Sequence, residues 1–322
     1  MVKLNLEIPE GWLEPEEKWG FQVTRQRKEI WAVELDLLHE LDRVCKKHGL
    51  TFFADSGTML GAIRHKGFIP WDDDIDVAMM RDEYEQLCKI AGEEFSYPYF
   101  FQTEYTDHGT LRGHAQLRNS MTTAVLKDEN HTQYPFNQGI FIDIFPLDHA
   151  VADDERLDRQ IEDAHKAMDL CYQAANVTDR ACGRPRGNAS PAREAAKVAM
   201  HLLLSGPLRP AMNRSFLFRR YEKVLQRYNG EDTPYVMNFR FTKRRRNREF
   251  YREAIDMPFE FITIPVMAGY DEMLTIQFGD YMKPVFGGSD HGDVIFRTDI
   301  SYLEYFDRRR RKREKRKKEN RR

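Results

Sequence analysis

Four aspartates fall within five positions of the stretch IPWDDDIDVAMM: Asp72, Asp73, Asp74 and Asp76, beside Ile75, Val77, Ala78 and Met79. Carboxylates are hard oxygen ligands, and a set at this spacing suits Mg²⁺ or Mn²⁺. Mg²⁺ takes one or two of them and leaves the rest of its shell to water or substrate phosphates. If the segment is a strand, Asp72, Asp74 and Asp76 share one face while Asp73, Ile75 and Val77 take the other. Like charges on one face repel, so the sequence demands a positive partner there. Asp143 in FIDIF is the best remote carboxylate, since between Ile142 and Ile144 its burial is costly without a cation.

Upstream, Ser56-Gly57-Thr58 lies where a strand gives way to a helix, and a glycine there lets a phosphate approach backbone N–H groups. Arg64, His65 and Lys66 follow and can offset phosphate charge. Together these residues spell metal-assisted phosphoryl or nucleotidyl transfer. Blander readings compete. An acidic surface strand does not explain Trp71, Ile75 and Val77. An EF-hand loop fits Asp72, Asp74, Asp76 and Glu83 but fails at Val77, where the turn needs glycine, and Pro70-Trp71 ends an entering helix poorly. Taken alone, Gly57 is a turn glycine and Arg64 to Lys66 a solvated helix end. Arg118 is a further candidate for a phosphate, against a plain surface pair. Asp280, Tyr281 and His291 are candidates for the acceptor side, with His291 in GGSDHGD, a lid or a plain turn.

The elements that must position these groups are legible in outline. Ile30, Val33, Leu37, Leu38, Leu41, Val44 and Cys45 recur at helical spacing, and Lys46, Lys47 and His48 before Gly49 mark a helix end. A short strand (LTFFAD), a turn, a short helix (TMLGAIRHKG), the acidic strand FIPWDDDIDVAMM and a helix stopping at Gly92 follow, then a strong strand over 139–148. That order predicts an α/β (α+β) core. Residues 151–230 read as a charged, mostly helical insertion with a mobile loop at 183–191; Leu217, Tyr221, Val224, Leu225 and Tyr228 form a helical stripe ending at Asn229-Gly230. The expected organisation is an N-terminal extension (1–28), a catalytic core (29–150), the insertion (151–230), a C-terminal part of the catalytic domain (231–307) and a basic disordered tail (308–322).

The chain of 322 residues is 41% hydrophobic, enough for one large domain or two smaller ones. No signal-peptide pattern or membrane-length apolar run is evident, so the expected location is cytoplasmic, with peripheral attachment at the inner face of a membrane an option. Cys45, Cys88, Cys171 and Cys182 form no metal or redox motif and read as reduced. The tail carries twelve Lys/Arg against Glu314 and Glu319, a local +10; with −2 overall, the body carries −12. An acidic body disfavours nucleic acid, so the tail suggests an anionic membrane surface, or else a solubilising segment.

The block SGTMLGAIRHKGFIPWDDDIDVAM resembles the signature of LicD/fukutin-type phosphotransferases. FIDIFPLD is similar to the family's second motif, and GYDEMLTIQFGDYMKP to its C-terminal block, with Phe278 where tyrosine is usual. The resemblance implies a nucleotidyltransferase-like fold, a mixed sheet core with surrounding helices. It also implies a Mg²⁺-dependent enzyme moving a phospho-substituent (phosphocholine, phosphoglycerol, phosphoribitol) from a CDP-linked donor to a hydroxyl of a glycan or lipid-linked glycan, such as teichoic acid, lipopolysaccharide or capsule precursors. Asp74 and Asp76 match its metal pair, Asp143 its third carboxylate, and Asp72 the acid before the pair, an outer-shell candidate. Gly57 and Thr58 match the turn, and Arg64 and His65 the Arg-His positions. Asp143 is left as either metal ligand or general base. Attachment of NMP to a small molecule or protein is the alternative chemistry, and membrane-surface binding through the tail the alternative of another class.

Overall fold

The computed structural model describes residues 1–126, 136–181, 214–239, 245–287 and 294–319; the 183–191 stretch, Cys182 and His291 lie outside them. The elements in chain order are β1 (Glu16–Lys18), β2 (Phe21–Val23), α1 (Arg25–His48), β3 (Phe53–Ala54), α2 (Ser56–Leu60), a π-helical turn (Gly61–His65), β4 (Asp76–Met80), α3 (Arg81–Glu94), β5 (Tyr99–Gln102), β6 (Ala115–Asn119), β7 (Thr123–Val125) and β8 (Ile140–Ala150). They continue with α4 (Asp154–Ala181), α5 (Arg214–Leu225), β9 (Tyr235–Met237), β10 (Arg246–Asn247), β11 (Ala254–Phe259), β12 (Ile262–Met267), α6 (Tyr270–Phe278), β13 (Ile295–Arg297) and α7 (Tyr302–Glu319). This is an α+β fold.

The chain divides into two compact units. The first comprises Met1–Gln102, His114–Leu147 and Arg246–Arg322. Its sheet runs β3-β4-β8-β6-β5, with β4 and β8 parallel and the other pairs antiparallel. Parallel neighbours need a long crossover, and α3, β5, β6 and β7 supply it. Helix α1 packs through Trp31, Leu35, Leu38, Leu41 and Val44; Trp31 stacks on Phe68, 4.6 Å between ring centres, and Phe68 packs on Phe259. Thr24 caps α1 by accepting from the Arg27 N–H, and Gly49 closes it at φ +64°, a conformation glycine adopts without strain. The second unit, Thr103–Gly113 with Asp148–Arg245, has its own core, where Leu157, Ile161, Ala164 and Cys171 of α4 meet Phe218, Tyr221 and Leu225 of α5. In it β9 pairs antiparallel with the end of β8, Asp148 to Ala150.

Three expectations are corrected. The acidic strand is short, because regular structure begins only at Asp76; Pro70-Trp71 forms a turn and Asp72 to Ile75 are irregular. Adjacent carboxylates are more easily borne on a loop that can fan them out. Helix α3 runs through Gly92 to Glu94. The basic tail expected to be disordered is helical as far as Glu319. Ser301 Oγ accepts from the Glu304 N–H, Arg308 pairs with Glu304 and Arg310 with Asp307, and Arg and Lys are good helix formers. Among the described residues no helix is long and apolar enough to cross a membrane.

Candidate active site

The parallel register of β4 and β8 places Asp76 opposite Asp143. Two bonds fix it: the Asp76 N–H donates to Thr58 Oγ1 (2.9 Å) and the Asp143 N–H to the Ile75 carbonyl (2.9 Å). On the other side of β8, Gln116 of β6 lies opposite Asp143. Its Nε2 donates to Asp143 Oδ1 at 2.6 Å, and His114 Nε2 is 3.0 Å from the same oxygen. Amide orientation here is set by Arg118, whose Nη2 donates to Gln116 Oε1, whose Nε donates to Gln102 Oε1 and whose Nη1 donates to the Gly139 carbonyl. Arg118 is fully buried with its guanidinium 4.5 Å from the Phe141 ring centre. This corrects its assignment to a phosphate: its charge is spent inside the sheet, holding Gln116 toward Asp143.

The acidic loop is held by its backbone. Arg27 Nη1 and Trp31 Nε1 of α1 both donate to the Asp72 carbonyl, at 2.6 and 3.0 Å, and the Asp72 N–H donates to the Ile69 carbonyl. One carboxylate oxygen from each of Asp72, Asp73 and Asp74 lies within 4.8 Å of the others, so Asp73 joins the cluster rather than facing away as strand alternation required. Burial, then Asp76 and Asp72, push the Asp74 carboxyl well above its ordinary range. Asp76 is pushed well above it too, by burial and then Asp143, Asp55 and Asp72, with Arg246 opposing. Beneath them Glu34 of α1 is buried, its Oε2 has no hydrogen-bond partner among the described residues, and burial followed by Asp73 and Asp72 raises its carboxyl well above the usual range. Such a set of half-buried, mutually repelling carboxylates fits a divalent cation. Asp72, Asp73 and Asp74 are the residues brought within common reach of one ion, whereas the predicted partners Asp76 and Asp143 face each other across β4 and β8 and are not part of that group.

Sequence reasoning missed the built-in cation. Arg246 forms a buried two-pronged pair with Asp55, Nη1 to Oδ1 at 2.8 Å and Nη2 to Oδ2 at 3.1 Å, and its Nη1 also donates to Tyr251 Oη at 2.9 Å. Asp55 is the N-cap of α2, accepting from the Ser56 N–H at 2.8 Å, and its own N–H donates to the Asp76 carbonyl. The start of this five-residue helix is therefore occupied by a carboxylate rather than open to a phosphate. Ser56 adopts φ +45°, Thr58 anchors Asp76, and Gly57 leaves space that a Cβ would take 2.9 Å from Asp72 Oδ2.

Arg64 also differs from expectation. Its Nε donates to His65 Nε2 (2.8 Å) and its Nη1 to the Tyr281 (2.6 Å) and Lys283 (3.4 Å) carbonyls, so it ties the C-terminal block to the Arg-His motif. His65 is pushed down to about 4 by burial, Arg64 and Lys18 and stays neutral near pH 7. It sits edge-on to Trp19 (4.8 Å) and Trp71 (6.2 Å), and Trp71 packs on Phe286 (4.7 Å). Lys66 is exposed in a left-handed cap. Asp280 pairs with Lys283 and Tyr281 Oη donates to Asp271.

Residues 49–168 match the family described as LicD/FKTN/FKRP, nucleotidyltransferase domain. The lipopolysaccharide cholinephosphotransferase LicD of Haemophilus influenzae is 27% identical over 281 residues, covering 80% of this chain and 91% of that protein. An uncharacterised protein of Rickettsia prowazekii is 36% identical over 70 residues, 22% of this chain and 24% of its own; one of Rickettsia typhi is 39% identical over 64, 19% and 21%. The carboxylate cluster, Thr58 and Asp143 all lie inside the matched span, so residues 49–168 are similar to the LicD/FKTN/FKRP nucleotidyltransferase domain, and most of the chain is similar to a LicD-type transferase.

Proposed function

We propose that the enzyme moves phosphocholine, or a related group such as phosphoglycerol or phosphoribitol, from a CDP-linked donor to a glycan hydroxyl. Lipopolysaccharide is the first acceptor to test, with teichoic acid and capsule precursors next, and Mg²⁺ or Mn²⁺ is the cation at the carboxylates. One observation carries the reading: Asp74 and Asp76 are held above their ordinary range by burial and by their own neighbours, a state that a cation relieves. The Haemophilus relative, a lipopolysaccharide cholinephosphotransferase, supports the transferred group and the acceptor.

When bound, the cation neutralises a pyrophosphate and eases departure of the nucleoside monophosphate. The chain's own residues do the rest. Asp74 and Asp76 fix the position of that charge, and Arg27 and Trp31 hold the loop that brings Asp72 and Asp73 beside them. Asp143, oriented by Gln116 and His114, either joins the ligands or takes the proton of the acceptor hydroxyl as its oxygen bonds to the distal phosphorus and the bond to CMP breaks.

CDP-choline, CDP-glycerol and CDP-ribitol are each incubated with Mg²⁺ and acceptor, and CMP is measured. Release of CMP with one of them, abolished by EDTA, is expected. Release of pyrophosphate from CTP or ATP instead would establish NMP attachment, the alternative chemistry.

A further inference from the structure

Two exposed features of the first unit have no part in this chemistry. One is apolar. Ile276, Phe278, Met282, Val285 and Phe286 all face solvent, Val285 79% and Phe286 64% exposed. Single exposed apolar side chains are ordinary, but five within eleven positions concentrate apolar exposure in one segment. The surface borders the site, because Phe286 packs on Trp71, the residue before Asp72, and Arg64 ties down the carbonyls of Tyr281 and Lys283. The other feature is charge. From Arg308 to Lys318, α7 presents ten Lys/Arg against Glu314, all exposed. The helix is anchored at its root: the Tyr302 N–H donates to the Thr122 carbonyl and Thr123 Oγ1 to the Ile300 carbonyl.

We propose that this unit docks on an anionic lipid surface, with α7 supplying the attraction and the 276–286 segment entering the headgroup layer. Neither feature suffices alone, since stable attachment of a peripheral protein takes two signals, apolar insertion and a polybasic patch being one such pair. The charge distribution sets the orientation. The first unit outside the tail is strongly acidic and is repelled by anionic lipid, so within this unit contact is favourable where α7 presents its charge. Nucleic acid would engage α7 but leaves Ile276, Met282 and Val285 without a role, and its extended charge meets the acidic body. Docking stands without the transfer reaction. Its consequence for catalysis, that a lipid-borne acceptor reaches the carboxylates past Trp71 and Phe286, rests on the transfer proposed above.

The test is flotation of the full chain with phosphatidylcholine vesicles and with vesicles containing phosphatidylglycerol, at low and high salt. Binding only to the anionic vesicles, weakened by salt, is expected. Arg313→Gln/Arg316→Gln/Lys317→Gln should lower partitioning on the order of a hundredfold, each basic residue counting about fivefold. Met282→Glu/Val285→Glu should lower it at least about tenfold, each methylene withdrawn from lipid counting about fourfold, with melting temperature and CMP release to a soluble acceptor unchanged. Equal binding to neutral vesicles, no loss in the Met282/Val285 variant, or displacement by an RNA duplex at equal phosphate would each overturn the proposal. Because flotation needs no turnover, its outcome is independent of the donor assay.

Discussion

Arg246→Met tests whether the site depends on a positive charge brought from far along the chain. Arg246 and Asp55 are 4% and 1% exposed in their side chains, joined by bonds of 2.8 and 3.1 Å across 191 positions of sequence. Methionine keeps much of the volume but leaves the Asp55 carboxylate buried, with Asp76 and Asp143 close by. Breaking a buried pair from one side costs about 3–5 kcal/mol, mostly the penalty of the orphaned charge. At roughly 2–4 °C per kcal/mol for a unit of this size, the melting temperature falls by on the order of 10 °C. Asp55→Asn in the same background removes the orphan and keeps an N-cap, since asparagine caps as well as aspartate. The double variant should therefore recover more than half of the loss. Circular dichroism melts and urea titrations in EDTA measure both. An Arg246→Met protein within about 1 kcal/mol of the parent, or a double variant no more stable than the single, would refute the reasoning.

Asp74→Asn and Asp76→Asn should each abolish transfer while the fold survives. Both carboxyls lie above their unfolded value of 3.8, so the native state holds the proton more tightly, and metal-free stability is greatest in acid and falls as pH rises through the raised values. Melts in EDTA between pH 5 and 8 should show that slope in the parent and less of it in the variants. Gln116→Glu keeps an acceptor for Arg118 but sets a carboxylate against Asp143, and should shift the acid limb of the pH–rate profile upward; an unmoved limb would remove Gln116 as a positioning residue. His65, at about 4 against 6.5 unfolded, stabilises above pH 6.5 and loses that contribution as pH falls toward 4, so His65→Gln should flatten the acid side of the melting curve.

What the sequence made legible follows from locality. The span of α1 was readable because its apolar spacing and its Lys46-Lys47-His48-Gly49 end are written in consecutive residues. The pairing of Asp76 with Asp143 was readable as chemistry, since a carboxylate between two isoleucines is costly to bury unless a cation or a hydrogen-bond donor meets it. The break at Asp72 to Ile75 was hidden because alternation of polar and apolar residues describes a fanned loop as well as a strand. Arg246 was hidden for a different reason: it sits in the run KRRRNR, where nothing local separates the buried arginine from the basic residues beside it. Arg118 followed a strand-like HAQL, but only the register against β8 reveals that its charge turns inward. The tail's composition pointed to disorder, while Ser301 and the Glu304–Arg308 pair, the local helix signals, lie just before the basic run.

Register is the device that turns scattered acids into a site. A slip of one residue between β4 and β8 would send Asp143 to the opposite face and leave Asp76 without its neighbour. An alternating sheet of apolar residues alone resists such a slip only through burial, and here polar groups fix the position directly. Thr58 Oγ1 receives the Asp76 N–H, and Thr122 Oγ1 receives the Ile140 N–H at the start of β8. At Gly139 the backbones of β8 and β6 come so close that a Cβ would lie 2.1 Å from the Asn119 carbonyl oxygen, so only glycine admits this approach. Arg118 then donates to that glycine's carbonyl and to Gln116, whose amide reaches Asp143. The cation buried in the sheet and the carboxylate of its central strand are thus parts of one arrangement: Arg118 fixes where β8 begins, and β8 sets where Asp143 points.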